Sequence, residues 1–206
     1  MHIGADRETE SPPERLPVAQ AERDQLPAAR PPGPARRRAR MTEEILFAPD
    51  ADARAFRDAL GRFATGVTVV TVLTDDGPAG MTANSFASVS LDPPLVLWSP
   101  ARSSSRFDLF ANAAHYAIHV LDADQGDLAA RFTRGGAGFE GLSYRSNAEG
   151  VPLLPAPLAR FDCRQAALHE GGDHAIVLGS VLRATLRPGA PLLFSQGRFG
   201  RFLPES

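Results

Sequence analysis

Residues 66–74 read Gly66-Val67-Thr68-Val69-Val70-Thr71-Val72-Leu73-Thr74, a run that is β-branched almost throughout. Branching at Cβ stiffens χ1 and suits a pleated surface, so this stretch is a strand before anything else. Asp75-Asp76-Gly77 follows, and Asp-Gly is a strong hairpin signal, which predicts a second strand over residues 79–88. Pro93-Pro94 leads into a third, Leu95-Val96-Leu97-Trp98, and residues 116–121 make a fourth. Two long strands, over residues 159–169 and 175–186, are joined through Gly171-Gly172-Asp173, and Leu192-Leu193-Phe194 is a last short one. The helical stretches are brief. Phe56, Leu60 and Phe63 form one apolar face behind an Asp52 cap, and Phe107 and Phe110 repeat behind Ser103-Ser104-Ser105. Asp122 or Asp124 caps a further helix from Gln125 to Phe132, and residues 133–158, rich in Gly and Pro, read as excursion loops. Six or more strands joined mostly by tight turns predict a mainly β fold, an antiparallel β-barrel with short helices as lids.

The first forty residues are a different material. They hold seven of the 18 prolines and eight arginines with almost no aliphatic periodicity. Such a segment cannot bury enough apolar surface to offset the entropy of ordering it. Residues 1–40 are therefore expected to be a disordered arm, either a solvated tail or upstream sequence ahead of a start at Met41. Residues 41–206 are expected to be the folded domain. The basic cluster at residues 36–40 has the charge to touch nucleic acid or anionic lipid. The formal net charge of −2, however, gives no reason to expect the whole chain to bind nucleic acid. No apolar run approaches the ~18–20 residues of a membrane span, and no charged-then-apolar leader opens the chain. A cytoplasmic protein is the expectation.

Several chemistries are excluded by composition. No Lys occurs, which removes a Schiff base, a Walker-type phosphate lysine and Ser-Lys nucleophiles. Cys163 is the one cysteine, so intramolecular disulfides and Cys-rich zinc sites are impossible. Gly136-Ala137-Gly138-Phe139-Glu140-Gly141 matches G-x-G-x-x-G but follows a helical segment and does not open a helix, so it is not a dinucleotide fingerprint. His115 and His119 would share a metal on a helix, but on the expected strand they lie ~13 Å apart and read as packing or rim histidines. No G-x-S-x-G is present, and Cys163, mid-strand, reads as a small buried hydrophobe.

Three stretches carry either chemistry or ordinary structure. Gly80-Met81-Thr82-Ala83-Asn84-Ser85-Phe86 has side chains small enough for a flat ligand to approach the backbone, or is simply a polar strand face. Ser99-Pro100-Ala101-Arg102-Ser103-Ser104-Ser105-Arg106 gathers hydroxyls and two guanidiniums where a strand passes into a helix, a setting for phosphate, or is a serine-rich loop with a cap. Gly171-Gly172-Asp173-His174 supplies the positive φ of a tight hairpin, with His174 in excess of what a turn needs.

Taken in order, Phe56 to Thr71, Gly80 to Phe86, Ser88 to Leu95, Gly172-Asp173-His174 and Pro191-Leu192-Leu193-Phe194 resemble the flavin reductase family. These small reductases supply reduced flavin to two-component monooxygenases. The resemblance covers residues 53–203 and implies an FMN-binding split barrel of Greek-key type that forms a homodimer. It implies that Met81, Thr82, Ala83, Asn84 and Ser85 line the isoalloxazine ring, and that Ser99, Arg102, Ser103, Ser104 and Ser105 hold the flavin phosphate. His174, the implied catalytic residue, faces the nicotinamide, with Phe194, Gln196, Gly197 and Arg198 nearby; no metal is implied. Where the family often carries aromatic hydroxyls near the last motif, this chain has Phe194 and Phe199. The implied reaction is hydride transfer from NADH or NADPH to FMN or FAD, with reduced flavin passed to a separate oxygenase. The cofactors carry that chemistry while the protein stacks and orients them, consistent with the lack of an acid/base dyad. Two other readings remain open at this point: a flavin-binding split barrel that does not turn over free flavin, and a non-enzymatic binding module.

Overall fold

The computed structural model describes residues 44–133 and 138–203, so the Pro/Arg-rich arm and Gly136-Ala137 of the G-x-G-x-x-G match lie outside the described residues. Along the chain come α1 (Ala53–Leu60), β1 (Thr65–Gly66), β2 (Thr68–Thr74), β3 (Gly77–Ala83), β4 (Ala87–Leu91), β5 (Pro94–Trp98), α2 (Phe107–Ala111) and β6 (His115–Val120). There follow α3 (Gly126–Arg131), β7 (Arg145–Ser146), β8 (Pro152–Leu153), β9 (Ala159–Gly171), β10 (His174–Leu186), β11 (Leu192–Ser195) and β12 (Arg198–Arg201). Seven strands form an antiparallel sheet in the order β3-β2-β6-β9-β10-β5-β4, β1-β11-β12 form a second, and β7 pairs with β8.

The two edges of the large sheet, β3 and β4, are consecutive in the chain, with only Asn84, Ser85 and Phe86 between them. Such a connection reaches no more than ~14 Å, whereas the edges of a flat seven-stranded sheet would stand ~29 Å apart. The sheet must therefore curl into a barrel left unpaired along one seam. The single strand expected over residues 79–88 is thus two strands on opposite edges. Ser85 marks the break: its Oγ accepts from Ser99 N at 2.9 Å and lies 3.2 Å from Ser99 O. Short polar side chains that bond backbone in this way compete with a strand ladder.

The β-branched run does not alternate because both of its faces are covered. Val70 and Val72 face the barrel core with Trp98, Phe110, Tyr116, Ile118, Cys163 and Val177. Val67 and Val69 face Leu121, Ala129, Phe132, Leu154 and Leu192 outside it. Residues 133–158 are more than an excursion: Val151 and Leu153 pack on Ala117, and Thr71 Oγ1 donates to Pro152 O at 2.6 Å. His119 is buried on β6; its Nδ1 lies 3.1 Å from Val69 O and its Nε2 accepts from Leu154 N at 3.1 Å. Burial pulls its pKa from 6.5 down to about 4. Burial likewise pushes the Cys163 thiol up to about 12, which leaves it inert.

Asp52 caps α1 as expected, accepting from Ala55 N at 2.8 Å. The apolar face of α1, in contrast, is not packed against the barrel: Phe56, Leu60 and Phe63 are all exposed. α3 has no side-chain cap, because Asp122 Oδ1 bonds Asp124 N instead. Among the described residues no helix is long and apolar enough to cross a membrane. Nor is there any group of three His, Cys, Asp or Glu placed to share a metal ion.

Candidate functional site

The seam opens into a cavity of about 260 Å3 lined by Met81, Thr82, Ala83, Asn84, Ser85, Ser99, Ala101, Ser104, Arg106, Thr133 and His174. Residues from all three informative stretches meet here, brought together by the curl of the sheet. The wall is the end of β3 and the break beyond it. Met81 turns its side chain into the barrel core and offers the cavity mainly backbone. Thr82 spends its hydroxyl on Ala129 O at 2.6 Å, and the Ala83 carbonyl accepts from Thr68 Oγ1 at 2.7 Å. With these groups committed to the fold, the wall is rigid and its side chains are short.

His174 arrives from the opposite side. Gly172 takes φ +72°, the left-handed region that glycine enters at no steric cost, and closes the β9–β10 turn. Asp173 O accepts from Arg102 N at 2.9 Å and Ala175 N donates to Pro100 O at 3.1 Å, which staples the turn onto the end of β5. The His174 ring is part-exposed with Nδ1 2.8 Å from Asp173 Oδ1. That contact holds the Asp173 carboxyl below its usual range.

The loop into α2 divides its residues. Ser104 lines the cavity, its Oγ 3.3 Å from Arg106 N. Ser103 and Ser105 sit exposed on the loop. The Arg102 side chain turns away from the cavity, pairing with Glu170 at 2.6 Å and lying 5.1 Å over the Phe107 ring. Arg106 lines the cavity instead, its guanidinium bonded to the carbonyls of Gly80, Phe132 and Thr133. It was legible as part of the phosphate-like stretch but not as a structural tie. One local signal was available: a cation at the start of α2 opposes the helix dipole, so it needs some other employment.

The last motif lies elsewhere. Phe194, Gln196 and Gly197 line a separate cavity of about 490 Å3 with Arg57, Asp58, Gly61 and Arg62. Gln196 (φ 50°) and Gly197 (φ 78°) form the β11–β12 turn, Gln196 N donates to Gly61 O at 3.0 Å, and Arg198 is exposed on β12. Within one chain, then, His174 and the last motif line different cavities.

A flat, polar-edged group suits the seam cavity. Its wall carries no bulky side chain on Ala83, Ser85, Ser99, Ala101 or Ser104, and its volume falls just under the ~300–1,000 Å3 of small-molecule pockets. A nucleotide bound here would extend past the mouth.

Comparisons with known proteins bear on the same residues. The model of the flavin reductase like domain family matches residues 60–202. The FMN reductase (NADH) SmoA of Agrobacterium fabrum is 62% identical over 164 residues, covering 79% of this chain and 94% of its own. The reductase subunit HsaB of a flavin-dependent monooxygenase from Mycobacterium tuberculosis is 39% identical over 158 residues, covering 75% of this chain and 84% of its own. The solved structure of the NADH:FAD oxidoreductase SgcE6 of Streptomyces globisporus, in complex with NAD and FAD fragments, is 40% identical. It superposes with a TM-score of 0.74, covering 79% of this chain and 99% of that one.

Proposed function

The chain belongs to the flavin reductase like domain family, and on that premise we propose that it reduces FMN or FAD with NADH or NADPH and hands the reduced flavin to a separate oxygenase. The single observation that carries this reading is the seam cavity, where a short-side-chain wall, a hydroxyl-bearing loop and a turn histidine converge. A bound flavin supplies the hydride-accepting chemistry. The chain's part is to bind and to orient. Met81 to Ser85 would lie along the ring; with Thr82 N bonded to Phe132 O, the backbone N–H groups of Asn84 and Ser85, past the end of β3, would serve its carbonyls and nitrogens. Ser99 and Ser104 would face the phosphate side, with Arg102, Ser103 and Ser105 on the same loop. His174 would hold the nicotinamide by packing or by a hydrogen bond, its ring steadied by Asp173.

Because Phe194, Gln196, Gly197 and Arg198 lie away from His174 in one chain, we place them at the nicotinamide through a homodimer, a second copy bringing its last motif over the mouth. The folded unit is residues 41–206, working in the cytoplasm.

An anaerobic titration of the purified chain with NADH and then NADPH, FMN and FAD supplied in turn, tests the proposal. Bleaching of the visible flavin absorbance in proportion to added flavin is the expected result. Nucleotide oxidation that does not scale with flavin would remove free-flavin turnover, and no flavin binding at all would remove the reading.

A further inference from the structure

β3 is an edge strand, so its outward backbone groups have no neighbouring strand to bond. Two other groups complete that edge. The carbonyl of Phe132, at the end of α3, accepts from Thr82 N at 3.1 Å. The Arg106 guanidinium donates from one terminal nitrogen to Gly80 O at 2.5 Å and Phe132 O at 3.1 Å, and from the other to Thr133 O at 3.2 Å. Thr82 Oγ1 and Thr133 Oγ1 both donate to Ala129 O, at 2.6 and 2.9 Å, along the same seam. One planar side chain therefore bridges the cavity wall to the carbonyl end of α3, where a cation is electrostatically favoured.

Nothing in α2 itself explains this residue. Arg106 stands at the helix start and makes no side-chain cap there, and its Nε is buried with no partner among the described residues. The position of the guanidinium is set by the three carbonyls rather than by saturation of its own donors. Thr133 and Arg106 both line the cavity, so the tie fixes the separation between its wall and its neighbouring rim.

We propose that Arg106 is a positioning residue for the flavin ring: it ties the Gly80–Ala83 wall to Phe132 and Thr133 and so keeps the seam cavity at the width a flat ring requires. This rests on the flavin-binding reading above. Arg106 takes no part in the redox step, and it acts on the ring rather than on the phosphate.

The test is to titrate FMN and riboflavin, which lacks the phosphate, into the full chain and its R106Q and R106K variants by flavin fluorescence, alongside steady-state kinetics. R106Q is expected to weaken both flavins by about tenfold, the scale of a lost charge-assisted hydrogen bond. Its kcat at saturating flavin and its KM for NADH should stay within about twofold of wild type. R106K, a point charge without the planar fork, should fall between the two. Loss for FMN alone would make Arg106 a phosphate ligand and overturn the proposal, as would an unchanged flavin Kd or a fall in kcat with Kd intact. Should R106Q not fold, R106K carries the test: it should weaken both flavins by about threefold with kcat intact, and an unchanged Kd would overturn the proposal equally. A wild-type chain that binds neither flavin overturns the function itself, a result distinct from variants that match a binding wild type.

Discussion

The seam cavity and the layer formed by α1 with the β11–β12 hairpin meet the solvent in opposite ways. Around the cavity, polar groups are bonded to the chain's own backbone: Thr82 to Ala129, Ser85 to Ser99, Arg106 to three carbonyls. On the other layer, large apolar side chains are left uncovered, with Leu60 60%, Phe63 79%, Phe199 47% and Phe202 55% exposed. α1 buries none of its residues, yet it is tied to the hairpin through Gly61, which accepts from Gln196 N and Ser195 Oγ. The first region satisfies its polar side chains within one chain. The second is unfinished by one chain, and exposed apolar surface of that kind marks an interaction face. In the homodimer proposed above, a second copy would cover that face and would bring the last motif to the cavity.

Acid should separate the two regions most. His119 packs behind the wall, bonding Val69 O on β2, and Val69 pairs with Thr82. Its pKa is depressed in the fold, from 6.5 to about 4, so the stability it contributes is complete above 6.5 and is lost as the pH falls towards 4. The loss amounts to about 3 kcal/mol. Chemical denaturation at pH 7 and pH 4 should show it, and His119→Gln should flatten the dependence; an equal slope in that variant contradicts the assignment.

Crowding the wall comes next. A Cβ on Gly80 would stand 2.4 Å from the Phe132 ring, and one on Gly138 would stand 2.3 Å from it, so two backbones closely flank the same edge of the ring. Gly80→Ala should cost about 2 kcal/mol of stability and abolish flavin binding together with it, measured by denaturant midpoint and flavin titration. A variant that keeps wild-type stability would show that the ring has room after all.

A smaller change is expected from His174→Ala. The NADH-dependent rate should fall by about tenfold while flavin Kd holds; rates and KM for NADH equal to wild type would remove the role given to His174. Smallest for the single chain is Phe63→Ser, since an exposed side chain contributes under ~0.5 kcal/mol to its fold. Its effect should instead appear in sedimentation, as a lighter species, and a wild-type mass that is already that of one chain would dissolve the contrast between the regions.

The strands and turns were readable because their signals are local. The β-branched run, Asp76-Gly77 and Gly172 each specify backbone conformation by their own covalent structure. Asp52 likewise announced its cap. What misled was the stretch 79–88, where pattern continues across Asn84-Ser85 but hydrogen bonding does not; Ser85 finds Ser99, 14 residues on. Arg102 and Arg106 looked equivalent on the page. Which of them lines the cavity depends on Glu170 and Phe107 drawing one away and on Gly80, Phe132 and Thr133 holding the other.

Residue type and near-neighbour spacing are enough to specify an antiparallel, mainly β chain with a family signature and to exclude lysine, disulfide and cysteine-zinc chemistry. That β3 and β4 part to opposite edges, that a cavity opens between them, and that Phe56, Leu60 and Phe63 are exposed on the single chain are settled only once the chain is folded. Those outcomes turn on contacts between residues far apart in the chain, whose free energy is set by the closing of the whole sheet and not by any stretch within it.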